Sequence, residues 1–157
     1  MKTECWVIGK TSDKYLQTGI DHYHKRLQHY LPFQLVVLPH PRRAGKLSPK
    51  QVKVKEGELV LSKLRRDDRL ILLDEQGQQY SSEAFARFLE RQFHRPHRRL
   101  IFLIGGAWGV SEAVRQRAQE ELSLSAMTFS HQMVRLFFLE QLYRGMTILH
   151  NKPYHNP

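Results

Sequence analysis

Gly105-Gly106-Ala107-Trp108-Gly109 follows the apolar run Leu100-Ile101-Phe102-Leu103-Ile104 without a break. A backbone that turns sharply after a strand lets a ligand approach where no Cβ stands in the way, which is where a cofactor loop belongs. The residue types alone fit a tight strand-to-helix turn with no ligand equally well. Nucleotide folds are disfavoured by the spacing. Position 107 is Ala where a dinucleotide fingerprint needs its second glycine, and no Gly-Lys-Ser/Thr follows for a phosphate loop. Toward the end of the chain, Pro153-Tyr154-His155 sets two side chains able to carry protons behind a residue that stiffens the backbone. Histidine, with an ordinary pKa near ~6.5, is the usual general base at neutral pH, although a terminal position by itself argues for a frayed end. The single Cys and nine His show no metal-ligand spacing.

The elements that must position these residues alternate in type. A strand is expected near residues 5–8, a helix near 14–30 and a strand at 34–38. Ser48-Pro49 has the form of an N-cap with proline at the first helical position, opening a helix to about residue 64. A strand at 70–73, a turn at Glu75-Gln76-Gly77, a helix near 82–93 and the strand at 100–104 follow. The last strand is apolar throughout and so belongs in the middle of a sheet. This alternation predicts one layered α/β domain over residues 1–157, with a largely parallel sheet and helices on both faces. A final helix near 131–149 carries more apolar residues than one narrow stripe, which predicts contact with two surfaces, one of them a second copy of the chain.

Charge points to a polyanionic partner. Of 25 Lys and Arg against 15 Asp and Glu, 20 basic and 11 acidic side chains fall in residues 1–99, leaving only 5 and 4 in 100–157. Arg42-Arg43-Ala44-Gly45-Lys46 and the stretch from Arg95 to Arg99, with His94 and His97 interleaved, could grip phosphates; a solvated face is the plainer alternative. No apolar stretch approaches the ~20 residues of a membrane helix, and Met1-Lys2-Thr3-Glu4 has no leader core behind it. An unprocessed, soluble chain in a reducing cytoplasm is expected, with the lone Cys5 as a buried, inert thiol.

Ser123-Leu124-Ser125-Ala126-Met127-Thr128-Phe129-Ser130-His131-Gln132, followed by Arg135, Glu140-Gln141, Tyr143-Arg144 and Tyr154-His155, is far more specific. With Leu73-Asp74, the Gly105-Gly106 loop and Lys55-Glu56-Gly57-Glu58, these residues resemble the SPOUT methyltransferases that modify pseudouridine in 23S ribosomal RNA. The resemblance spans the whole chain. It implies a C-terminal trefoil knot, a homodimer, S-adenosylmethionine as methyl donor, and N3 of a pseudouridine on the assembled ribosome as acceptor. It implies a cofactor site of Leu73, Gly105, Leu124, Ser125, Ala126, Met127, Thr128 and Phe129. His155 is then the expected base, Tyr154 the residue that orients the target, and His131 and Arg135 the groups that hold phosphate or a developing anion. A sulfonium donor needs no metal, and no membrane is implied. A non-catalytic protein that binds RNA through its basic face is the alternative reading, and it would not need Gly105 or the 124–129 segment. Relatives often carry proline before the histidine, where this chain has Ser130, which can cap the following helix.

Overall fold

In the computed structural model, which describes residues 2–157, five parallel strands form one sheet in the order β2-β1-β4-β3-β5. Met1, with which the start read for a leader opens, lies outside the described residues. The strands are β1 (Lys2–Ile8), β2 (Phe33–Leu38), β3 (Arg69–Gln79), β4 (Arg99–Ile104) and β5 (Glu120–Ser123). The helices are α1 (Lys14–Leu27), α2 (Pro49–Lys63), α3 (Ser82–Phe93), α4 (Glu112–Arg117) and α5 (Met133–Leu149).

β4 reads as a continuous apolar run because both of its faces are covered. Leu100, Phe102 and Ile104 join the core shared with Ile20, Phe85, Phe88, Phe138 and Leu139 of α1, α3 and α5. Ile101 and Leu103 point the other way, into the core with Val60 of α2 and Val114 of α4. Local signals set the helix starts. The Ser48 hydroxyl accepts from the Gln51 N–H at 3.2 Å while the Gln51 side chain accepts from the Ser48 N–H at 2.8 Å, a reciprocal capping box. Ser81 accepts from the Ala84 N–H at 3.1 Å, and the Ser130 hydroxyl accepts from the Met133 N–H at 3.0 Å ahead of α5.

Three departures from the sequence reading have physical causes. The turn expected at Glu75-Gln76-Gly77 does not end its strand: Leu122 of β5 faces both Leu73 and Gln78, and the intervening residues leave the ladder as a bulge inside β3. α4 and β5 were not anticipated, because the sequence Glu120-Glu121-Leu122-Ser123 has no apolar alternation; its carboxylates are held by Arg69 at 2.7 Å and Arg115 at 2.6 Å. Finally, α5 packs between α1 and α3 on the sheet, which covers most of its apolar width within the chain, while Phe137 is left 40% exposed for a second surface. Among the described residues no helix is long and apolar enough to cross a membrane.

Candidate active site

The carboxyl ends of β3, β4 and β5 open into a cleft of about 400 Å³. It is built by three segments: the β3 bulge, the Gly105–Gly109 turn, and the 124–129 segment that follows β5. Arg115 of α4 fixes the bulge, donating to Asp74 at 2.8 Å and to Glu121 of β5 at 2.6 Å. Burial alone would raise the Asp74 carboxyl, but the hydrogen bonds from Arg115 and the Gln76 N–H outweigh it and hold the group below the ordinary carboxylate range. The Thr128 hydroxyl donates to Glu75 at 2.5 Å and so ties the third segment to the bulge. Within that segment the Ser125 hydroxyl accepts from the Met127 N–H at 3.0 Å, and the Ser125 carbonyl accepts from the Ser123 hydroxyl at 2.8 Å.

The glycine turn folds tightly on itself. Gly109 has φ +88° and donates its N–H to the Gly106 carbonyl at 3.1 Å. A Cβ on Gly105 would come within 2.9 Å of the Val110 side chain and 3.1 Å of the Gly109 carbonyl, closer than real contacts allow. Trp108 at the tip is 57% exposed, and Met127, also lining the cleft, is 75% exposed. Large apolar side chains so placed are cover for a ligand or partner.

Of the residues expected to hold the cofactor, Leu73, Gly105, Leu124, Ser125, Met127, Thr128 and Phe129 line this cleft, while Ala126 faces outward. His131 lines it too. Burial, with the charges of Arg135 and His40, pushes the His131 imidazole below its ordinary value, so at neutral pH it is an uncharged donor or acceptor and not a phosphate-holding cation.

The structure gives Arg135 a different place from the one expected. Its side chain is 0% exposed, and it donates to the Ile8 carbonyl at 2.7 Å, the Gly9 carbonyl at 2.8 Å, the Thr11 hydroxyl at 3.1 Å and the His131 carbonyl at 3.3 Å. It braces the end of β1 against the start of α5, with no surface to offer a phosphate.

Tyr154 and His155 pack against α5 and α3 and do not line the cleft of their own chain. The Tyr154 hydroxyl donates to Glu140 at 2.9 Å and lies 3.1 Å from the Tyr23 hydroxyl; burial and these two bonds raise its phenol well above the ordinary value, so it is a donor at neutral pH. Arg144 can only donate, so the 3.1 Å contact makes Nδ1 of His155 the acceptor, and Nε2 then donates to Glu83 at 3.0 Å. The Arg144–Glu140 pair completes this network across α3 and α5 at 2.5 Å.

The two basic stretches separate. Arg42, Arg43 and Lys46 are exposed beyond the carboxyl end of β2, on the edge that carries the cleft. Arg95 to Arg98 precede β4 at the opposite edge, and Arg99, its first residue, is committed to Asp68 at 2.5 Å. His94 and His97 bond to the carbonyls of Glu90 and Gln92 at the end of α3. Sequence reasoning placed Asp74 and Glu56 in its motifs without giving them a role, and it missed Arg115; Asp74 and Arg115 gain meaning only through the bulge.

A wholly parallel sheet with a cleft and a glycine turn at its carboxyl edge defines an α/β protein whose open site lies where such folds place their ligands. The family described as "Predicted SPOUT methyltransferase" matches residues 1–155, and the chain belongs to it. Proteins called ribosomal RNA large subunit methyltransferase H are 50% identical in Parabacteroides distasonis and 53% identical in Flavobacterium johnsoniae, each over 99% of both chains. One from Christiangramia forsetii is 51% identical over 95% of both. Among solved structures, the tRNA (m1G37) methyltransferase from Aquifex aeolicus shares the fold, with a TM-score of 0.57 at 12% identity over 100% of this chain and 76% of that one.

Proposed function

We propose that this protein transfers a methyl group from S-adenosylmethionine to N3 of a pseudouridine in 23S ribosomal RNA, acting on the assembled ribosome as a knotted, cytoplasmic homodimer. The observation that carries the reading is a single cleft walled by the residues that mark the resemblance, in a chain similar over its full length to proteins named as large-subunit rRNA methyltransferases. A cleft of about 400 Å³ lies in the range of sites for compact ligands, and a turn that excludes Cβ at Gly105 suits close approach of main chain to a ligand.

S-adenosylmethionine supplies an electrophilic methyl on a sulfonium sulfur. Leu73, Leu124 and Phe129 would give it apolar walls, the main chain of Ser125, Ala126, Met127 and Thr128 would offer hydrogen-bonding groups to its adenine, and Gly105 would let the turn's backbone come close. His131 stands at the mouth as a neutral hydrogen-bonding group, and Arg135 holds its carbonyl. The acceptor nitrogen must lose a proton to take the methyl, and His155 takes it on Nδ1 once Arg144 releases that nitrogen, while Nε2–H stays bonded to Glu83. Tyr154, kept protonated, orients the base by donation. Because this tail lies outside its own cleft, it serves the cleft of the second copy, which the exposed Trp108, Met127 and Phe137 help to cover. Arg42, Arg43 and Lys46 grip RNA phosphates on the cleft edge.

Calorimetry with S-adenosylmethionine tests the reading. Saturable binding with one site per chain is expected, and failure to bind would favour the non-catalytic RNA-binding protein.

A further inference from the structure

The motif Lys55-Glu56-Gly57-Glu58 has no part in the cleft, yet the fold delivers it to the back of the glycine turn. Gly57 lets α2 approach the start of α4, since a Cβ there would come within 2.3 Å of the Ser111 hydroxyl. That approach presses the neighbouring Glu56 against Gly106. A Cβ on Gly106 would stand 2.7 and 2.8 Å from the two carboxylate oxygens, so a methyl there would have to push the carboxylate aside. Glu56 is only 6% exposed, and its Oε1 is buried with no hydrogen-bond partner. Burial pushes its carboxyl above the usual range, as expected where nothing compensates the charge.

A small cavity of about 10 Å³ beside Glu56 is lined by Gly105, Gly109 and Val110 of the turn and by Lys53, and these four residues also line the cleft. The wall between carboxylate and cleft is therefore one layer of glycine backbone. A buried acceptor left unpaired is destabilising, and an apolar residue in its place would relieve that unless the group had other work.

We infer that Glu56 is a positioning residue for the cofactor turn: pressed on Gly106 from behind, its carboxylate sets the height of Gly105–Gly109 and with it the affinity of the cleft for S-adenosylmethionine. Settling of the turn around a ligand offers the unpaired oxygen the main-chain N–H groups of Gly106 and Ala107, so the favourable hydrogen bonds are made in the bound form. The inference rests on the cofactor reading proposed above and deepens it.

The test uses the full chain with Glu56→Gln and, separately, Gly106→Ala, whose methyl pushes turn and carboxylate apart while keeping the Glu56 carboxylate. Three readouts are taken: the dissociation constant for S-adenosylmethionine by calorimetry, the change in tryptophan emission on adding it, and Tm without ligand. Trp108 reports on the turn, because Trp6 is buried and held by Glu4 at 2.8 Å. Both variants should bind at least about tenfold more weakly and show a reduced emission change, with the Tm of Glu56→Gln no lower than wild type. If wild type itself does not bind, the cofactor reading fails. If wild type binds and either variant binds within about twofold of it, the positioning role is overturned. A Tm lowered by more than about 5 °C in Glu56→Gln would overturn it as well, by making Glu56 a brace of the fold.

Discussion

Arg135→Met removes a guanidinium while keeping most of its volume, and so separates hydrogen bonding from packing. Four donations disappear. The bond to His131 is long, at 3.3 Å, and that to the Thr11 hydroxyl is 3.1 Å, so the weight falls on the Ile8 and Gly9 carbonyls at 2.7 and 2.8 Å. Each buried acceptor left without a donor costs about 1–3 kcal/mol, and no longer desolvating a charge offsets part of that. A net loss of about 2–4 kcal/mol lowers Tm by roughly 10 °C at ~2–4 °C per kcal/mol for a chain of this size. Thermal and urea unfolding followed by circular dichroism give the value, with an unchanged urea slope as the check that the denatured state is the same. A phosphate-gripping Arg135 behaves otherwise: Tm holds, and the salt dependence of RNA binding weakens by one contact, a slope change of about 1. A Tm within about 2 °C of wild type together with that slope change would refute the buried brace.

Gly105→Val should abolish measurable S-adenosylmethionine binding by calorimetry, since its side chain meets Val110 and Gly109 at 2.9–3.1 Å and forces the turn open; an unchanged dissociation constant would move the site elsewhere. His155→Ala should slow single-turnover methylation of ribosomes by about 10²-fold or more with cofactor affinity nearly unchanged, and removing residues 153–157 should be worse; wild-type rates would withdraw the tail from catalysis. Burial raises the Asp68 carboxyl, but bonds from Arg99 and the Arg65 N–H outweigh this and lower it, so its stabilisation is complete above the unfolded value near ~3.9 and is lost as pH falls through the folded one. Asp68→Asn should therefore lower the urea midpoint at neutral pH and flatten its fall below about pH 4, and an acid profile parallel to wild type would contradict the assignment.

What the sequence made readable followed from local chemistry. β4 announced itself because both faces are buried and every residue from 100 to 104 is apolar; α2 did so through the cap Ser48 and Pro49 at its first position. The cleft walls were found through motif residues that come together from three segments. What stayed hidden depends on partners distant in the chain. Glu120 and Glu121 form a strand only because Arg69 and Arg115 reach them. Arg135 looked like a surface cation, and nothing local to it reveals that β1 ends with carbonyls in need of a donor 126 and 127 residues away. Glu56 likewise sits in a helix of mixed polarity, and its burial comes from the glycine turn that packs on it.

The central claim is methyl transfer to ribosomal RNA, and mass spectrometry of 23S rRNA tests it directly. A strain lacking this protein should yield ribosomes that have lost one methylated pseudouridine, and purified protein with S-adenosylmethionine should restore that methyl on those ribosomes. Persistence of every methylated pseudouridine in the strain, or failure of the protein to add one back, would contradict the account.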